Sequence, residues 1–352
     1  MFESVPFAAR VLQHGRVVLA LAALAMLSAC GGSVSRVESF APQRLVVFGD
    51  ELSLVQSDGS KYSINALKLD STGAVALPAA QDCASNPMWT QYLASSFGLV
   101  FAECGGGSTA VMRAQAGSIS SSNVVQTAVL VADVVQQVAA YRSTGGSFNP
   151  KTLVTVQGGM YDVLAAYNGY LLAGETAAAH DAALSQVATA GLALGGLVNS
   201  VADNGNGGRV LYASVPNLLL SPFGIAENLV NPTRGTLLKD LSNLFNEKLR
   251  VTVLNDGRYA GPVWIDARVQ SMVTFPITGT GYYLNDVVDP ACTTALPNCT
   301  VSTLQLADTT STPAKVAATS SNYLWADNFR IGASAHTMIG VDAVNRARNN
   351  PF

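Results

Sequence analysis

The feature that most constrains this chain is an alternation of short β-rich runs with long stretches of helical period. Residues 44–48, 152–157, 209–214 and 262–266 are brief apolar runs rich in Val, Leu and Ile, each bounded by Gly, Pro or polar residues. Runs this apolar on both faces read as strands covered from both sides, which is the situation of a parallel sheet. Helical patterns lie between them at 88–97, 124–142, 176–202 and 237–253, and a last one runs from about 332 to 348. Strands alternating with helices of this length imply right-handed crossovers with helices on both faces of one sheet. The expected class is therefore α/β.

Composition enters where alternatives must be excluded. With 49% hydrophobic and only 12% charged residues among 352, the chain can bury enough surface to offset its ordering entropy, so disorder is excluded. A formal net charge of -3 without any Lys/Arg run lacks the electrostatic footprint of a nucleic-acid binder. No nucleic-acid partner is expected. The one low-complexity stretch, 300–321, is rich in Ser, Thr and Ala, and reads as a surface excursion bordering a pocket.

Residues 1–29 read as an address rather than as fold. Arg10 and Arg16 precede an apolar run at 17–27, which ends in Leu27-Ser28-Ala29-Cys30 and is followed by Gly31-Gly32. A basic region, a short apolar segment and small exit residues make a secretory signal too short to span a bilayer. Cysteine after Leu-Ser-Ala resembles the bacterial lipobox, which implies acylation of Cys30, a lipid-anchored linker at 30–43 and one domain at 44–352. Gly31 rather than Asp after that cysteine implies, by the same resemblance, the outer membrane rather than the inner one. Acyl chains contribute about 0.8 kcal/mol per buried CH₂, so two or more would hold a domain to the membrane.

Beyond the signal, His180 and His336 are the remaining histidines, too few for a His-built metal site, and the cysteines lack paired zinc spacing. No metal or other cofactor is expected. Setting Cys30 aside leaves Cys83, Cys104, Cys292 and Cys299, an even number in an oxidising compartment, hence two disulfides. Cys83–Cys104 with Cys292–Cys299 is the simplest of the three possible connectivities.

Three segments fall where strands should hand over to loops, the place where an open α/β sheet binds its ligands. They are Val46-Val47-Phe48-Gly49-Asp50-Glu51-Leu52-Ser53, then Val154 to Asp162 with Gly158-Gly159-Met160-Tyr161-Asp162 at its end, and Tyr323 to Arg330 with Asp327-Asn328-Phe329-Arg330. In this order and spacing they resemble blocks one, three and five of the SGNH (GDSL-type) hydrolases, a family of serine esterases and lipases. Asn86-Pro87-Met88-Trp89, the Gly105-Gly106-Gly107 run and the Cys292/Cys299 loop are similar to its secreted branch. The resemblance spans about 44–349 and implies a three-layer α/β/α sandwich on a flavodoxin-like sheet.

The chain departs from the family pattern where chemistry is concentrated. Where the family has Gly-Asp-Ser-Leu with a nucleophilic Ser, this sequence has Gly49-Asp50-Glu51-Leu52. Where the family has Gly-x-Asn-Asp with an oxyanion-donating Asn, it has Gly159-Met160-Tyr161-Asp162. Where the family has Asp-x-x-His with a general-base His, it has Asp327-Asn328-Phe329-Arg330. Acyl-enzyme hydrolysis needs an activatable nucleophile, a base of near-neutral pKa and oxyanion donors. An arginine stays protonated and cannot be that base. Asp327 is retained, and Gly105, Gly106, Gly107 and Gly159 are the candidate oxyanion donors.

The substitutions also complement one another. Nucleophile and base are neighbours in the family geometry, which implies a Glu51/Arg330 ion pair across the old site with Asp327 beside it. The expected protein is a monomeric, esterase-like envelope lipoprotein that has lost ester hydrolysis and binds an acyl, glycan or protein ligand there. Two alternatives remain: a carboxylic-ester hydrolase with a reorganised site using Glu51, Ser53 or His336, and a structural envelope lipoprotein. Ser53 is expected in the first turn of a following helix, His336 as a packed or capping residue, and His180 as a solvent-facing or packing one. Tyr161, Trp325 and Phe329 are candidates to line an apolar pocket. Glu51 and Asp327 also form a possible glycosidase-like carboxylate pair, which an intervening Arg330 would keep ionised.

Overall fold

A computed structural model describes residues 40–122, 131–203, 208–254, 256–276, 282–312 and 314–349. Residues 1–39, Cys30 among them, and the first part of the 124–142 helical stretch lie outside them. Arg44–Phe48 (β1), Ala110–Met112 (β2), Thr152–Gln157 (β3), Arg209–Ala213 (β4) and Ala260–Val263 (β5) form one sheet of order β2-β1-β3-β4-β5. Every pairing is parallel, in register Val46 to Val154 and Val154 to Val210 at the centre. This is the doubly wound order with its switch point between β1 and β3, where ligands characteristically bind. All six residues of β3 are buried, the polar Thr152, Thr155 and Gln157 included.

Helices cover both faces: Trp89–Ser95 (α1), Val134–Ser143 (α2), Met160–Leu172 (α3), Ala177–Ala202 (α4), Pro222–Val230 (α5), Pro232–Thr252 (α6), Ile265–Thr274 (α7) and Ala333–Arg348 (α8). Their starts are written locally. Asp133 accepts from the Gln136 N–H at 2.7 Å in a capping box, Thr176 caps α4, and Asn231 with Pro232 opens α6. α4 is long and apolar, yet Val187, Leu194 and Val198 are fully buried against the rest of the domain. A Cβ on Gly191 would stand 2.6 Å from the Phe245 carbonyl, so glycine lets α4 approach α6 closely.

The run at 262–266 divides differently from the expectation. β5 ends at Val263, and Ile265 already begins α7 with Asp266 in its first turn, so the apolar run crosses an element boundary. The expected disulfides, Cys83–Cys104 and Cys292–Cys299, are both formed. The Cys292–Cys299 bridge sits in a satellite core with Ile64 and Tyr323, beside the short parallel pair Asp286–Pro290 (β6) and Tyr323–Trp325 (β7). The 300–321 excursion contributes Leu304 and Ala318 to that satellite core, beside the bridge.

Candidate functional site at the strand ends

The carboxyl ends of β1 and β3 meet at glycine. Gly49 has φ 152°, and a Cβ there would stand 2.6 Å from the Gln157 carbonyl oxygen. The Gln137 side chain of α2 brackets the same residue, accepting from Gly49 N–H and donating to Gly49 C=O, each at 2.9 Å. The chain then turns tightly: Asp50 accepts from Leu52 N–H at 2.9 Å and from the Gln157 amide at 3.0 Å. No helix follows β1 at Ser53, contrary to expectation. Ser53 lies in this turn, fully buried, its hydroxyl proton given to Gln157 Oε1 at 3.1 Å. An amide oxygen is no base, so that serine is not activated.

Glu51 occupies the tip of the turn with its side chain completely shielded from solvent, and three donors converge on its two oxygens. Arg330 Nε donates to Oε1 at 2.7 Å, Gly117 N–H donates to Oε2 at 2.9 Å, and the Tyr161 hydroxyl donates to Oε1. The expected Glu51/Arg330 pair is thus formed. The guanidinium is itself saturated: Nη1 reaches Asp327 at 2.5 Å and Nη2 donates to the Tyr161 hydroxyl at 2.8 Å. Its faces are covered by Tyr62 and Phe329, whose ring centroids lie 5.3 and 4.4 Å away. Asp327 Oδ1 accepts from the Phe329 and Arg330 N–H groups at 3.1 and 2.7 Å, which fixes the loop that presents the arginine.

The electrostatics keep this arrangement ionic at its centre. Burial disfavours the charged guanidinium, but Glu51 and Asp327 outweigh it and hold Arg330 protonated. Burial, and then the Glu51 charge, push the Tyr161 phenol upward, so it remains a donor. Asp50 is held well above the usual carboxylate range, first by burial and then by Glu51 alongside. Asp162, in the first turn of α3, accepts from Ser120 N–H and hydroxyl at 2.8 and 2.9 Å, and burial raises it to about 6.

Of the candidate oxyanion glycines, Gly105, Gly106 and Gly107 stand elsewhere. They follow Cys104, and Gly105 lines a cavity of about 620 Å³ beside the Cys83–Cys104 bridge. The disulfide holds the run there, and the backbone donor on the Glu51 carboxylate is Gly117. Gly159 caps α3 with φ 110°, and a Cβ would collide with the Phe245 ring, so packing accounts for that glycine. Trp325 does not line a pocket; it is fully buried and donates to the Val287 carbonyl at 3.0 Å. Phe329 and Tyr161 are half-buried at the site. His180 is partly exposed on α4, 3.3 Å from Asp181.

His336 lies on the first turn of α8, completely buried, with neither ring nitrogen hydrogen-bonded. Burial, with the Lys61 charge nearby, lowers its pKa to about 3, so it is neutral in the folded protein. An unfolded histidine binds protons below about 6.5, so this residue's contribution is intact above that value and is lost as pH falls toward 3. Asp162, raised, has the opposite sign: its contribution is present in acid and is lost as pH rises through about 6. His336→Leu is therefore expected to shrink the stability loss between pH 7 and pH 5 by about 2 kcal/mol relative to the natural chain. Urea titrations at the two pH values measure this; an unchanged loss would refute it.

No family model matches the chain, and no curated protein matches it. Solved structures do. A lipase from a goat rumen metagenome is 10% identical, covering 88% of this chain and 99% of that one with a TM-score of 0.43. An extracellular lipase from Streptomyces rimosus is 13% identical over 87% and 100%, with a TM-score of 0.42. A protein described as a GDSL-like lipase from Parabacteroides merdae is 8% identical over 87% and 97%, with a TM-score of 0.38.

What the residues can do follows from their own geometry. The position beside Arg330 holds a carboxylate whose lone pairs face a cation, a phenol and an amide N–H, and a group so held is a poor nucleophile. Arg330 is a permanent cation and cannot take up a proton. The Gly117 N–H, a donor suited to a developing oxyanion, is already engaged by a resident anion. Glu51 and Asp327 are bridged by Arg330, so neither is arranged as a proton-carrying acid for glycoside cleavage.

Proposed function

We propose that this chain is an outer-membrane lipoprotein, anchored through Cys30, that keeps the SGNH-hydrolase architecture without ester hydrolysis and acts by binding at the remodelled strand ends. The observation that carries the reading is the Glu51 carboxylate, buried and saturated by Arg330, Tyr161 and Gly117 where an esterase would need a free hydroxyl. The half-buried rings of Tyr62, Tyr161 and Phe329 surround the guanidinium and suit contact with an acyl, glycan or protein surface.

Loss of one oxyanion donor costs about a hundredfold to a thousandfold, and loss of nucleophile or base costs far more. The natural chain is expected to hydrolyse p-nitrophenyl acetate no faster than buffer and to form no adduct with a serine-directed fluorophosphonate. Turnover that is abolished by Ser53→Ala or His336→Ala would overturn the reading in favour of a reorganised hydrolase.

A further inference from the structure

In a doubly wound sheet, strand starts and helix ends share one pole of the domain, opposite the site. Here that pole gathers cations. The last turns of α2, α6 and α8 carry Arg142, Arg250, Arg346 and Arg348. The entries to β1, β3, β4 and β5 carry Arg44, Lys151, Arg209 and Arg258. The first four complement the helix dipoles, a sufficient local reason for them. Helix dipoles do not account for the four at strand entries.

The carboxylates of the same loops are few. Asp256 pairs with Arg346 at 3.3 Å, and Asp203 caps α4. Glu103, on the α1–β2 connection, is held by the Cys83–Cys104 bridge beside Gly59. Acidic groups gather instead at the opposite pole, with Asp50 and Glu51 after β1, Asp133 and Asp162 at helix starts, and Asp327. Cations are thus concentrated at one pole of a chain whose net charge is slightly negative.

Lys151, Arg250, Arg258 and Arg348 are exposed, and between Arg250 and Arg258 stand Val251, 60% exposed, and Leu254, 80% exposed. Apolar side chains set among cations are the composition of a membrane-interface contact. The described chain also begins at this pole, because Phe40 stacks under the Arg209 guanidinium at 4.4 Å. Nine residues separate Cys30 from Phe40, a reach of at most about 35 Å.

We propose that this basic pole is a docking face for anionic lipid headgroups, which seats the domain on the membrane with the Glu51/Arg330 end pointing away. The tether half of the argument rests on the lipoprotein reading above; the charge half stands without it. The core closes between Leu45 and Ala347, so an unacylated chain of residues 31–352 retains it. That chain is tested by co-sedimentation with vesicles of phosphatidylcholine alone and of phosphatidylcholine with phosphatidylglycerol as about a third of the lipid.

Binding to the anionic vesicles only is expected, and it should vanish near 0.5 M salt, where the Debye length falls to roughly 4 Å. A variant combining Lys151→Glu, Arg250→Glu, Arg258→Glu and Arg348→Glu, with its melting checked, is expected to lose more than about a hundredfold in affinity. Lys239→Glu, in the middle of α6, should change little. Equal binding to neutral vesicles, no binding, binding that survives the fourfold variant, or equal loss in the control would each overturn the proposal. Intact mass of the membrane-extracted full chain tests acylation at Cys30 separately, so failure of either reading is recognisable by itself.

Discussion

Glu51→Ala and Arg330→Ala are each expected to lower stability by about 3 to 5 kcal/mol, and the double variant by less than either. The asymmetry arises because removing one partner strands the other charge. With Glu51 gone, the guanidinium keeps Asp327 and the two aromatic faces, so it retains partial compensation. With Arg330 gone, a fully buried carboxylate keeps only the Gly117 N–H and the Tyr161 hydroxyl, directly beside Asp50. Arg330→Ala is therefore the costlier single change. Taking both away removes the two charges together and leaves Asp327, whose side chain is partly exposed. A urea-denaturation cycle over the four proteins reads the coupling directly. Additive losses would mean that the pair does not hold the site closed.

That pair was legible in the sequence because the two substitutions are complementary. A carboxylate in one block and a guanidinium in another, at positions that a resemblance makes neighbours, point to each other. The strands β1 and β3 were legible for a related reason: their residues are apolar on both faces, and the burial they need is available only inside a parallel sheet. Gly117 carried no such signal. Its role depends on where the three-residue β2 stops, and a strand that short has no period to read. The Gly105 to Gly107 run drew attention as a glycine cluster, but the Cys83–Cys104 bridge holds it away from Glu51.

Other misses have equally local causes. α3 follows two glycines and contains Gly169 and three tyrosines, so its helical pattern is weak, although Gly159 and Asp162 fit a helix start. α5 and α7 are nine and ten residues long, below the length at which periodicity separates from chance. The turn at Ser53 replaces an expected helix because Asp50 and Gln157 capture its polar groups. Net charge was the least informative quantity. It does not say where the cations stand, and only the topology, which collects strand entries and helix ends at one side, brings them together.

The triple variant Glu51→Ser, Tyr161→Asn and Arg330→His is expected to hydrolyse a short p-nitrophenyl ester about 10² to 10⁴ times faster than the natural chain, whereas each single change should stay silent. Members of a catalytic unit are grossly non-additive, so one restored group has nothing to work with. The remaining parts are in place. Asp327 Oδ1 is already fixed by the Phe329 and Arg330 N–H groups, which leaves Oδ2, now on Arg330 Nη1, to orient an imidazole. The Tyr62 and Phe329 faces that cover the guanidinium would flank that ring. Removing the Glu51 carboxylate frees the Gly117 N–H for a developing oxyanion, and the Asn amide supplies a second donor nearby. Because both members of the ion pair leave together, the variant also avoids the stranded charge that each single substitution creates. A folded but silent triple variant would show that the strand ends have diverged in backbone as well as in side chains. A rise in turnover would mean that these three side chains decide whether the strand ends hydrolyse esters.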